Sequence, residues 1–219
     1  MKKYLVLTLL FALPIVAYLF FSSGINHFAI LPTLTKPISE IDNFQTSQSE
    51  EVRLKNHISV LFFMGNRVKE MEGNAFNLNE KIYDKNYQFK DFQFVILAEN
   101  GQEQAVQDLL NQLGTTIDVK NWKFAFGTQH DIQRVFDSLQ TPLQLNEGGA
   151  NEHVFIIDKE LALRGRKDEQ DKSVVENYGY DTSSVAELSN IMSDDIKVIL
   201  AEYRLATKGN AIKDKDEKL

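Results

Sequence analysis

Met64, Met71, His57, His130 and His153 are among the donors with which this chain could hold a soft metal ion. Thioether and imidazole ligands suit Cu(I). Met71 falls on the apolar stripe of a helix, where core packing explains it. Met64 follows an apolar strand, and methionine is an adaptable filler of cores. The histidines are isolated, with no HxH or HxxxH pair, so no spacing fits a ligand template. Structural roles therefore account for these residues better than a metal site does, and Met64 and His153 remain as the residual candidates. The sequence contains no cysteine. That excludes disulfides, thiol redox chemistry and thiolate metal sites.

Other chemistries find no motif. There is no GxSxG, P-loop, dinucleotide fingerprint or HExxH. The acidic pairs Asp194-Asp195 and Glu50-Glu51 read as solvated surface. Trp122, Phe124 and Phe126 could line a cleft, but alternating burial along a strand is the simpler account. Arg67, at the start of a helix, could bind an anion on the free backbone N–H groups there, or it could be exposed. The chain therefore reads as a non-enzyme. Its formal charge is −7. No Lys/Arg cluster forms a patch, which excludes a nucleic-acid role.

The elements that position these residues follow from periodicity. Ile58 to Phe63 is a run of apolar and β-branched residues ended by Gly65, a buried strand. Val68, Met71, Ala75, Leu78 and Ile82 then recur at 3-4-3-4 spacing, an amphipathic helix. Phe92 to Ala98 is a second buried strand. A helix over 102–113 follows and stops at Gly114. Trp122 to Phe126 is a third strand, and Thr128 caps a helix with Ile132, Val135, Phe136 and Leu139 inward. Residues 140–152 are a long loop containing Gly148-Gly149; loops of this length are functional or mobile. His153 to Asp158 and Leu161 to Arg164 form a hairpin, and 166–181 is a charged loop. Ser184, with Glu187 as its capping-box partner, starts a helix to about Ala206. Its inward stripe is Leu188, Met192, Ile196, Ile199 and Tyr203. Glu51 to Leu54 is expected as a short edge strand and 45–50 as a polar turn. Strand, helix, strand, helix is the α/β signature.

The N-terminus is of another kind. Residues 4–21 carry no charge, a length that just spans a bilayer. Lys2 and Lys3 precede them and keep the N-terminus in the cytoplasm. The competing reading is a cleaved signal peptide, for which Ser22-Ser23-Gly24 is a poor cleavage site. The expected organisation is a cytoplasmic stub (1–3), a transmembrane anchor (4–21) and a tether (22–43), with Leu31-Pro32 and Ile38 to Phe44 expected to dock as short extended pieces. A folded domain (44–207) and a disordered charged tail (208–219) complete it.

Four phrases in order resemble the Sco/SenC family. They are Leu61-Phe62-Phe63 with the helix through Met71, Gly73 and Asn74; Asn121-Trp122-Lys123 to Gly127 with Ile132; Phe155 to Lys159 with Leu163-Arg164-Gly165; and Asp194-Asp195-Ile196-Lys197 with Leu200. The resemblance covers roughly residues 40–205. It implies a thioredoxin-like α/β fold, a central mixed sheet flanked by helices, behind an N-terminal membrane helix. Members of that family bind copper and help deliver it to cytochrome oxidase. They use a CxxxC motif at the strand–helix junction and a histidine before the hairpin. Laid on Met71-Glu72-Gly73-Asn74, the two Cys positions fall at Met64 and Val68. The His position falls near Ala150, a few residues before His153. The resemblance thus supports fold and tether and argues against the family's chemistry here. It implies a degenerate member with no cofactor, anchored on the extracytoplasmic side. The old site surface, Met64, Gly65, Asn66, Arg67, Val68, Ala150 and His153, would then face a protein partner in the envelope, by analogy one linked to respiratory-oxidase assembly. Two alternatives stand beside it: copper bound through Met and His, and a small-molecule or lipid carrier with a pocket beneath the 140–152 loop.

Overall fold

The computed structural model describes residues 12–15, 30–46, 52–166 and 177–216. The long uninterrupted apolar runs form the middle of the sheet, because only a strand covered on both faces can be apolar throughout. These are β3 (Ile58–Gly65), β4 (Phe92–Glu99) and β5 (Trp122–Gly127). Every residue of β3 is buried. β3 pairs parallel with β4, and β4 with β5. On its other side β3 takes β6 (His153–Ile157) antiparallel, and β6 takes β7 (Leu163–Arg164) and β8 (Tyr180–Asp181). β1 (Thr33–Thr35) closes one edge on β7, and β2 (Gln45–Thr46) closes the other on β5. The order is β1-β7-β6-β3-β4-β5-β2, with β8 on β6. A parallel strand–helix–strand half joined to an antiparallel hairpin on one mixed sheet is a thioredoxin-like α/β fold.

Helices cover both faces. α1 runs as Glu72–Leu78, a π-helical segment Asn79–Tyr83, and Asp84–Asn86. α2 is Glu103–Leu113 and α3 is Gln129–Ser138. α4 runs as Val185–Glu187, a π-helical segment Leu188–Met192, and Ser193–Asp216. Side chains from α1, α2 and α4 share one buried cluster with Val60, Phe62, Phe94 and Trp122. α3 and the segment holding Ile38, Ile41 and Leu54 share the other with Leu61, Phe63, Val95 and Phe155. The period of two along β3 sorts its side chains between these layers.

Several expectations change. The first helix begins at Glu72, and Val68 to Met71 form turns before it, although the inward stripe is as expected. The π-helical segment was not expected. It turns Asn79 inward, where its Oδ1 accepts from Trp122 Nε1 at 3.1 Å. Tyr83 donates to the Asp118 carbonyl at 2.9 Å, and burial raises its phenol to about 12. The expected edge strand at 51–54 is absent in its described part, and β2 lies within the stretch read as a polar turn. Val52 and Leu54 are buried instead as irregular core-filling residues, and Gln93 Nε2 donates to the Arg53 carbonyl at 2.7 Å. β8 falls within the stretch read as a charged loop. Glu187 does not complete a capping box on Ser184. The Ser184 hydroxyl accepts from the Glu187 N–H, while the Glu187 carboxylate accepts from the Asp181 N–H. The last helix, expected to end at about Ala206, continues to Asp216. No proline interrupts 208–216, and a single glycine costs a helix only about 1 kcal/mol.

Leu31-Pro32 and the stretch from Ile38 to Phe44 dock, with Leu31, Ile38, Ile41 and Phe44 buried. Gly165 N–H donates to the Pro32 carbonyl at 3.1 Å, and Ile38 N–H to the Leu161 carbonyl at 2.8 Å. The proposed membrane segment, residues 4–21, lies outside the described residues except for 12–15, which are helical. Among the described residues no helix is long and apolar enough to cross a membrane.

A buried ionic knot joins hairpin, N-terminal segment and last helix. Arg164 is 5% exposed and Asp158 3%. Arg164 donates to the Asp158 carboxylate at 2.9 Å, to Glu202 at 2.7 Å and to the Leu31 carbonyl at 2.7 Å. Removing one member leaves the other charges desolvated and unpaired. Arg164→Ala is therefore expected to lower unfolding free energy by about 3–5 kcal/mol, read as a lower urea midpoint at unchanged slope. Lys197→Ala, which breaks the exposed Lys197–Asp194 pair, should leave the midpoint unchanged.

Candidate functional site

The site expected from the sequence lies where β3 runs out. The β3–β4 register slips between Phe63 and Gly65, placing a bulge at Met64. Gly65 follows with φ +51°. Left-handed backbone is where glycine is at home. The chain then turns: Arg67 N–H donates to the Met64 carbonyl at 2.9 Å, and Met71 N–H to the Arg67 carbonyl at 3.1 Å.

The 140–152 loop lies directly on this turn. Asn66 N–H donates to the Gly148 carbonyl at 2.9 Å, and Asn151 N–H to the Phe63 carbonyl at 2.9 Å. Gln129, the first residue of α3, donates from Nε2 to the Glu147 carbonyl at 2.8 Å. Within the loop, Asn146 Oδ1 accepts from Gly148 N–H at 2.9 Å and Ala150 N–H at 3.0 Å. The approach is backbone on backbone: a Cβ on Gly65 would overlap the Gly148 carbonyl oxygen, and one on Gly148 would overlap the Asn66 side chain. Glycine at both places permits the closure.

The expected site residues divide into three groups. Gly65, Asn66 and Arg67 meet Gly148 and Gly149 at this closure. Met64, Val68 and Ala150 belong to one buried cluster, and Met64 and Val68 are fully enclosed. The Met64 thioether is thus a core group. His153 stands apart. Its backbone N–H donates to Asn151 Oδ1 at 2.7 Å, its Nδ1 lies 3.2 Å from the same oxygen, and it pairs across strands with Asp181. Burial works against the Asp181 carboxylate, but bonds from Ser183 and the nearby His153 hold it below the usual range. Arg67 is exposed and pairs with Glu70, so it does not carry a free cation into an anion site. The loop with Gly148-Gly149 was expected to be functional or mobile; that Asn146 and Gln129 would hold it on the turn was not foreseen, since neither carries a signal of its own.

Chemically the arrangement offers little. Among the described residues no group of three His, Asp or Glu side chains could hold a metal ion. Putting Met64 on a metal would mean withdrawing a side chain whose burial contributes about 1.5–3 kcal/mol. It would also break two loop hydrogen bonds of about 1 kcal/mol each.

No family model matches the chain, and no curated protein matches it. Solved structures follow a similar path. A candidate electron transport protein of Aquifex aeolicus is 17% identical, over 79% of this chain and 98% of that one, with a TM-score of 0.48. The soluble domain of a Sco protein from Bacillus subtilis is 15% identical over 77% and 95%, with a TM-score of 0.42. A Sco protein of Bradyrhizobium japonicum with copper bound is 11% identical over 70% and 95%, also at 0.42. Identities this low speak to fold alone, and with TM-scores below 0.5 the fold rests on this chain's own strand order.

Gly65→Ala tests the closure. It forces a Cβ into the Gly148 carbonyl at a positive φ, and a cost of about 2–4 kcal/mol is expected from strain and lost hydrogen bonds. Gly73→Ala, with open space around it, should be neutral or slightly stabilising. Thermal unfolding of the two variants measures the difference.

Proposed function

We propose that this chain is a non-catalytic, membrane-tethered thioredoxin-like protein of the cell envelope that acts by holding a protein partner against its closed strand–helix junction. The observation that carries this reading is the loop seated on the turn. The Gly148 carbonyl takes up the Asn66 N–H, and the place of a reactive side chain is filled by core Met64 and Val68. What faces outward is a surface formed by Asn66, Arg67 and Glu147. A packed junction favours surface recognition over carriage of a small molecule inside it. In this reading the uncharged residues 4–21 are the membrane anchor and 22–43 the tether. By its resemblance to Sco proteins, the partner belongs to an envelope assembly system, with respiratory oxidase the leading instance; this last step is analogy of fold.

Site-specific photocrosslinking in native membranes tests the reading. A photoreactive residue at Arg67 and another at Glu147 should each give an adduct with the same membrane protein. One at Asp108, on the outer face of α2, should not. Absence of adducts from both junction positions, or the same adduct from all three, would contradict it.

A further inference from the structure

A second feature of the long loop lies outside the junction. Between the C-terminal half of α3 and residues 141–145 is an open groove of about 410 Å³, lined by Gln133, Phe136, Asp137, Gln140, Leu143 and Leu145 among others. That volume falls in the roughly 300–1,000 Å³ range of ligand pockets. Its wall is a stretch of chain with unused backbone groups. Leu143 and Leu145 are partly buried against the core and Gln144 is exposed, the alternation of an extended segment. The Gln144 carbonyl accepts from Asn151 Nδ2 at 2.7 Å, and Leu143 N–H donates to Thr141 Oγ1 at 3.2 Å. Three further main-chain groups of the same stretch are the Leu143 carbonyl and the Leu145 N–H and carbonyl. Among the described residues none of these three groups has a hydrogen-bond partner.

The opposite wall is amide and acid. Gln133 Nε2 donates to Asp137 Oδ1 at 2.7 Å, and Asp137 is the one charged residue of the lining. Gln140, at the groove's end, is held at φ +52°. This is the left-handed residue that commonly follows a helix C-cap, here Leu139 of α3.

We infer that this groove binds an extended polypeptide segment of the partner. The segment adds to the 143–145 edge through main-chain hydrogen bonds and places a basic side chain at Asp137. Strand addition supplies affinity through the backbone, and the neighbouring walls supply selectivity. The inference rests on the partner-binding reading, for which it names the chemistry of one contact.

The test uses the full chain in detergent as bait for a phage-displayed random dodecapeptide library, with selected peptides re-measured by fluorescence polarisation. Enriched peptides should carry Lys or Arg. They should lose about tenfold or more in affinity to Asp137→Arg, which reverses the groove's charge on an exposed helix face, and to Leu145→Pro, which removes the central N–H. Should Leu145→Pro fail to fold, Asp137→Arg decides alone. No enrichment, or affinity unchanged in Asp137→Arg, overturns the inference. Adducts at Arg67 without peptide binding would leave the partner reading standing and remove the groove. Peptide binding without adducts would do the reverse.

Discussion

The architecture around the site depends on one contact, the meeting of two backbones at Gly65 and Gly148. A Cβ on Gly65 would run into the Gly148 carbonyl, and one on Gly148 would push on the Asn66 side chain, so the Gly148 carbonyl reaches the Asn66 N–H with nothing between. The open crevice beyond the carboxyl ends of parallel strands is where α/β sheets ordinarily bind ligands. Here the chain's own Gly148 carbonyl occupies the first donor a ligand would meet. Asn146 and Gln129 hold the loop in that place from two further directions, so the closure is built into the packing of α3 as well as β3.

The rest of the molecule makes that contact stiff. β3 is buried throughout and pairs with β6 as far as Phe62 and with β4 as far as Gly65, while the Phe63 carbonyl takes the Asn151 N–H of the loop, so its last residues are held by β4 and the loop. β6 is fixed in turn by β7, and β7 by the Arg164 knot that reaches Leu31 and Glu202. Buried ion pairs are weak evidence for net stability but strong evidence for one specified arrangement in some systems. In this chain the knot specifies where the N-terminal segment and the last helix meet the hairpin. A second buried polar group, Tyr180 on Asp195, ties β8 to the same helix at 2.8 Å, and burial pushes its phenol up.

Sequence reading reached the sheet because its signals are local. Apolar runs at 58–63, 92–98 and 122–126 can bury both faces, and the 3-4 spacing of Val68 to Ile82 names the inward stripe of α1. The short strands β1, β2 and β8 were not legible as strands. Two- and three-residue strands carry no period, and they exist only because an edge of β5, β6 or β7 was available to pair. The π-helical segments were hidden for a related reason: in α1 the extra residue widens the inward face from Leu78 and Ile82 to take in Asn79 and Tyr83, and it shows only where Asn79 finds Trp122. At the site, the absence of cysteine and the glycine pair were visible. That Gly148 would sit on Asn66 was not, because some eighty residues of folded chain separate them.

In the proposed reading, a thioredoxin-like frame whose crevice is covered by its own loop offers a shape to a partner. The measurement that bears most directly on this account is a Cu(I) titration of the full chain in detergent, under reducing conditions and against a chelator of known affinity. The account predicts that the chelator keeps its copper and that the protein shows no stoichiometric uptake. Tight one-to-one binding, lost in Met64→Ala or His153→Ala, would contradict it, since the loop would then have to open and release the Met64 thioether from the core.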